Sequence, residues 1–108
     1  MVRGECFRIK APRGARGSEI KGERYGVVVQ SDLLIFESSA TVLIAPTSRS
    51  ARMNGFRPEV DFGNGSTKVL TEQTAVYSLD RIGSSVGRLS ADDMIRVDDA
   101  LKIVFGLR

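Results

Sequence analysis

The 108-residue chain has room for one domain, residues 1–108, and its 42% hydrophobic and 27% charged composition belongs to an ordinary globular protein rather than a disordered one. It has no histidine and a single cysteine, Cys6, which excludes Ser-His-Asp, Cys-His and paired-histidine catalysis, an intrachain disulfide and a Cys/His zinc cluster. The net charge is +3, and residues 1–57 hold ten Lys/Arg against five Asp/Glu; twelve of the sixteen bases are arginine, whose planar fork of donors suits phosphate.

No apolar run reaches bilayer-spanning length, and Met1-Val2-Arg3-Gly4-Glu5 lacks a signal-peptide core, so the expected compartment is the cytoplasm, with no membrane partner. Residues 5–10 alternate, with Phe7 and Ile9 on one face and Arg8 and Lys10 on the other, which predicts a half-buried strand. Residues 11–24 carry one proline and three glycines and read as a long loop. Tyr25–Gln30 is a β-branched run and predicts a central strand. Residues 31–34 start a short helical turn. Ala40–Ala45 predicts a buried strand ended by Pro46, with Thr47–Gly55 as loop.

Phe56–Phe62 alternates and reads as an edge strand because of Pro58; the turn 63–66 joins it to a strand over Thr67–Gln73. Shorter strands are expected at 75–79 and 85–89, with 80–84 as a turn. The last element reads as a helix. Ser90 is its N-cap, Asp93 sits where a capping-box acid would, Met94, Val97, Leu101 and Val104 form one stripe, and Gly106 is the stop. Many short strands and one C-terminal helix describe a mainly β protein, a small β-barrel with a helix packed on it.

Two segments carry functional chemistry. In Arg13-Gly14-Ala15-Arg16-Gly17-Ser18-Glu19, closing at Arg24, glycines permit close backbone approach and arginines supply donors for phosphate oxygens. It lacks the Gly-Lys-Ser/Thr ending of a P-loop. In Ala45-Pro46-Thr47-Ser48-Arg49-Ser50, a buried strand ends in hydroxyls followed by a base. Each also has a plain structural reading, as a polar connector and as turn chemistry.

The order and spacing of several pieces resemble the MazF/PemK/Kid family of toxin endoribonucleases. The pieces are Arg3-Gly4-Glu5; Arg16-Gly17-Ser18-Glu19 with Arg24; Val27-Val28-Val29-Gln30-Ser31-Asp32; Ala45-Pro46-Thr47-Ser48; Glu72-Gln73; Asp80-Arg81-Ile82-Gly83; Val86-Gly87-Arg88-Leu89-Ser90; and Val97-Asp98-Asp99-Ala100-Leu101 closing at Gly106-Leu107. The resemblance implies an SH3-like β-barrel with a C-terminal helix, shared with toxins such as CcdB. It also implies a homodimer with single-stranded RNA, in the first instance messenger RNA, along a groove between subunits, and an antitoxin protein that blocks the groove. Cleavage in that family needs no metal or other cofactor and leaves a cyclic phosphate and a free 5′-hydroxyl. Three positions depart from the family pattern. Tyr25 stands where proline usually follows the arginine, one residue is missing between Pro46 and Thr47, and Ala75 stands where an arginine is common.

For this chemistry Arg24 is the expected charge stabiliser, Thr47 a donor to the same phosphate and Ser48 a second donor. Arg13, Arg16, Ser18, Glu19, Lys21, Arg49, Arg52 and Gln73 are the expected RNA contacts. The base is open. Glu19 is nearest in sequence, yet a carboxylate beside arginine is a weak base, and arginine keeps its proton. Tyr25 reads as a core residue and Cys6 as a buried one rather than a nucleophile. The competing readings are a non-catalytic toxin of the same fold that binds DNA gyrase, using its helix, and an inactive RNA-binding relative.

Overall fold

Alternation along the strands decides which side of the sheet each residue packs against, and here both sides are buried. A computed structural model describes residues 1–10, 24–37, 40–63 and 65–108. Among these described residues seven strands are formed: β1 (Glu5–Ile9), β2 (Arg24–Val28), β3 (Thr41–Ser48), β4 (Glu59–Asp61), β5 (Ser66–Val69), β6 (Ala75–Ser78) and β7 (Ile82–Arg88). Helix α1 covers Asp32–Glu37 and α2 covers Ala91–Phe105. The strands are antiparallel in the order β4-β5-β3-β2-β1-β7, with β6 also paired to β3, and the sheet curls into a half-barrel.

Cys6, Val27, Val29 and Ala45 face a core completed by Val60, Phe62, Val69 and Leu89 and by Val97 and Leu101 of α2. Their neighbours Phe7, Ile9, Val28, Val42 and Ile44 face the other side, with Ile35, Tyr77 and Ile82 against them. That is why Val27-Val28-Val29 is an unbroken apolar run. At the ends of the curl, β7 meets the segment after β4: a Cβ on Gly87 would stand 2.4 Å from the Phe62 carbonyl oxygen, so only glycine permits this approach.

The helix forms as its signals predict. The Ser90 hydroxyl accepts the Asp93 N–H at 3.1 Å, a cap worth about 1 kcal/mol. Gly106 ends the helix in the left-handed region at φ 70°, and Leu107 N–H closes onto the Lys102 carbonyl at 2.8 Å. The Asp93 carboxylate does not complete a capping box; its Oδ1 takes Arg96 at 2.6 Å. Arg3 bolts the N-terminus to the body. Its Nε donates to the Val29 carbonyl at 2.8 Å and its Nη1 lies 2.7 Å from Asp98 of α2.

Four expectations change. β3 does not stop at Pro46 but runs to Ser48. A strand residue's N–H and C=O point to the same edge, and the Pro46 carbonyl accepts from Leu70 N–H at 2.8 Å, so the missing N–H faces the edge where β3 exchanges β6 for β5. Between the pairs Ile44↔Ala75 and Thr47↔Val69 the partner edge therefore carries surplus residues, and these are a 3-10 turn, Thr71–Gln73. This splits the strand expected over 67–73. The strand expected over 56–62 shrinks to β4, because Phe56 N–H bonds Asn54 Oδ1 at 3.0 Å and Arg57 N–H bonds the Asn54 carbonyl at 3.1 Å in a tight turn before Pro58. Finally, β7 starts at Ile82 inside the expected turn, since Ile82 pairs with Ile9 and packs with it. The glycine-rich loop lies outside the described residues.

Candidate functional site

A cavity of about 510 Å³ opens where β2 begins and β3 ends. Arg24 and Tyr25 come to it from β2, Pro46, Thr47 and Ser48 from β3, Arg49 and Ser50 from the following segment, Gln73 from the 3-10 turn, and Tyr77 and Arg81 from the β6–β7 side. The β2–β3 ladder ends at Gly26 opposite Pro46, so Arg24–Tyr25 and Thr47–Ser48 are the adjoining ends of the two strands. The two hydroxyls differ in their bonds. Thr47 Oγ1 donates to the Tyr25 carbonyl at 3.2 Å, fastening the frayed end of the ladder. Ser48 Oγ accepts the Ala51 N–H at 3.1 Å and lies 3.4 Å from Ser50 Oγ, a pair in which either hydroxyl can be the donor.

Gln73 owes its place to the residue before it. Arg57 Nε donates to Glu72 Oε2 at 2.9 Å, and its Nη2 bonds the same oxygen. The paired guanidinium holds the Glu72 carboxyl below its ordinary value. The pair clamps the 3-10 turn from behind, where it packs on α2, and Gln73 faces the cavity. Three arginines, Arg24, Arg49 and Arg81, line the cavity, and no carboxylate is among its described lining residues. Such a wall is suited to an anion.

The structure thus brings together Arg24, Thr47, Ser48, Arg49 and Gln73 of the residues singled out in the sequence. Arg52 is exposed and lies outside the cavity lining. Arg13, Arg16, Ser18, Glu19 and Lys21 lie outside the described residues. Tyr25 packs on the core against Phe62, ring centroids 5.9 Å apart, as expected, and also forms part of the cavity wall. Cys6 is fully buried, and burial together with the nearby Glu5 charge pushes its thiol up to about 12, which leaves it inert as a nucleophile. Sequence reasoning missed Tyr77 and Arg81 as wall residues. The aromatic and the base at a four-residue interval around a turn were the available signal.

Residues 2–105 match the family described as PemK-like, MazF-like toxin of type II toxin–antitoxin system. The chain belongs to that family. A candidate toxin of Mycobacterium tuberculosis, Rv3098A, is 31% identical over 108 residues, covering 99% of each chain. A solved mycobacterial structure described as an endoribonuclease in complex with its cognate antitoxin superposes with a TM-score of 0.80 at 16% identity, over 100% of this chain and 97% of that one. The Mycobacterium tuberculosis toxin MazF-mt6 superposes with a TM-score of 0.72 at 16% identity, over 94% of this chain and 98% of its own. The curled sheet with its C-terminal helix is thus the MazF toxin fold. Among the described residues no helix is long and apolar enough to cross a membrane.

Proposed function

We propose that this MazF-like toxin is a sequence-selective, metal-independent endoribonuclease that cuts single-stranded RNA, messenger RNA first, in the cytoplasm. The observation that carries the reading is the convergence of Arg24, Thr47, Ser48 and Gln73 on one arginine-walled cavity. The endoribonuclease descriptions of two structural neighbours favour it as well.

In the reaction the ribose 2′-oxygen attacks phosphorus as its proton leaves, the P–O5′ bond breaks, and the 5′-oxygen takes up a proton. The products are a 2′,3′-cyclic phosphate and a free 5′-hydroxyl. Negative charge builds on the phosphoryl oxygens between these steps. Arg24 answers it with a planar pair of donors, Ser48 adds a neutral donor from the end of β3, and Thr47 does so by turning its one proton from the Tyr25 carbonyl to the phosphate. Positioning and fixed charge carry the rate in this scheme. Arg49 and Gln73 in the cavity, together with Arg13, Arg16, Ser18, Glu19, Lys21 and Arg52, grip the flanking nucleotides, and binding weakens steeply with salt.

The chain acts as a single toxin domain in a homodimer and is blocked by a cognate antitoxin. The apolar residues Leu43 and Val76, opposite one another across β3–β6 and both exposed, support a protein contact there. The test is incubation of the pure protein with a long single-stranded RNA in EDTA, with products resolved on a denaturing gel. Discrete fragments ending in cyclic phosphate are expected; intact RNA refutes the reading.

One observation favours a second reading. Ile95, Ile103, Phe105 and Leu107 on and after α2 are exposed, as a non-catalytic toxin that binds DNA gyrase by its helix requires. Inhibition of gyrase supercoiling by the Arg24→Ala protein would support it.

A further inference from the structure

Tyr77 and Arg81 form a unit that the phosphate chemistry does not use. The Arg81 guanidinium lies over the Tyr77 ring, its carbon 4.6 Å from the ring centroid. Two further bonds fix it where β1 ends and β7 begins: Arg81 Nε donates to the Lys10 carbonyl at 3.1 Å, and Lys10 N–H donates to the Arg81 carbonyl at 2.8 Å. Tyr77 in turn rests on the core formed by Phe7, Ile9 and Ile44. Both side chains reach the cavity that holds Arg24 and Gln73.

A guanidinium that serves as a phosphate clamp presents its donor edge. Here the Nε end of that edge is held by a backbone carbonyl and one face is covered by an aromatic ring. The surface best suited to a ligand is the opposite face, flat, polarizable and already immobilised. Flat cationic faces of this kind stack on nucleobases, and the preorganisation lowers the entropy lost on binding.

We propose that Arg81, laid on Tyr77, is a shelf on which one nucleobase of the RNA stacks beside the cleaved bond, in a three-layer sandwich of phenol, guanidinium and base. The proposal rests on the endoribonuclease reading above and adds a base-binding subsite to it. Arg81 is here a substrate-binding residue and Tyr77 its positioning residue. Two other roles are physically distinct. A strut between β1 and β7 would affect stability and every substrate alike. A phosphate contact would answer to charge and salt, whatever base is present.

The experiment maps a cleavage site on long single-stranded RNA, then measures single-turnover cleavage of a short oligonucleotide around it, with one abasic residue placed at each position in turn. For the unaltered protein one position is expected to lose about five- to 150-fold when its base is removed. In Arg81→Lys and Tyr77→Leu the penalty at that position collapses towards one, with the other positions unchanged. Tyr77→Phe keeps the unaltered pattern because the ring remains. Thermal melting identifies a variant that has failed to fold, and the two substitutions stand in for each other. Penalties that stay the same at every position in the folded variants overturn the shelf. If the protein cuts no RNA, the endoribonuclease reading falls. An abasic series through a short single-stranded RNA that the protein binds is then read by fluorescence anisotropy. Coupling at one position upholds the subsite without catalysis, and no binding or no coupling overturns it.

Discussion

Arg57 and Arg24 stand on either side of the 3-10 turn Thr71–Gln73 and illustrate two uses of one side chain. Arg57 commits its donors to Glu72, and about three-quarters of each partner is covered. Arg24 lies at the exposed start of β2 and, among the described residues, makes no ion pair. The first is a clamp that holds the turn; the second is a charge held out to a cavity. The chain's excess of arginine therefore does not measure its capacity for a polyanion. What counts is which guanidinium has an acid matched to it.

Removing each member of that contrast sharpens it, and the largest effect belongs to Arg24. Arg24→Ala is expected to lower cleavage by roughly a hundred- to a thousand-fold with the melting temperature unchanged, measured on gels in EDTA and by calorimetry. Cleavage surviving in that variant would place the charge stabiliser elsewhere. Thr47→Val comes next, at about tenfold or more, because it loses the one proton that ties the strand end to the Tyr25 carbonyl in the free protein and turns to the phosphate in the complex. Ser48→Ala is milder, at about fivefold. Equal activities for the two would show that the strand-end tie is irrelevant.

On the other side of the contrast, Glu72→Gln is expected to lower the melting temperature by a few degrees and to change the acid limb of stability. The folded carboxyl is held below its ordinary value of about 4.3, so the pair's contribution is fully present above that value. It fades as pH falls through the lowered one. Denaturant titrations at descending pH should show a shallower acid loss in the variant than in the parent. The smallest effect is expected at Cys6, whose thiol should resist iodoacetamide at neutral pH until the protein unfolds. Rapid labelling of the native protein would mean that this end of the sheet opens.

Much of the architecture could be read in the chain before any coordinates. β1 and α2 carry clean periodicity and explicit stops, and local signals suffice for both. The elements that shifted are those in which a long-range partner overruled a local one. Pro46 reads as a terminator, yet the strand passes through it because its missing N–H faces a place where nothing needs a donor. Gln73 was legible only by resemblance, since its position depends on Arg57 gripping Glu72 from fifteen residues away. Arg81 was legible only as part of the Asp80-Arg81-Ile82-Gly83 motif, and its place beside Tyr77 was not, because a ring and a base near a turn are commonplace and the Arg81 bond to Lys10 needs β1 beside β7.

One absent amide hydrogen, at Pro46, has a consequence larger than its size. Because Pro46 offers no N–H to that edge and its carbonyl is met by Leu70 N–H, the chain can swell outward by a turn without leaving a dry, lonely polar atom. The swelling delivers an amide side chain to one side and an anchoring acid to the other. A residue restoring the N–H would press this bulge to close into an unbroken ribbon, and the hollow beside it would shrink.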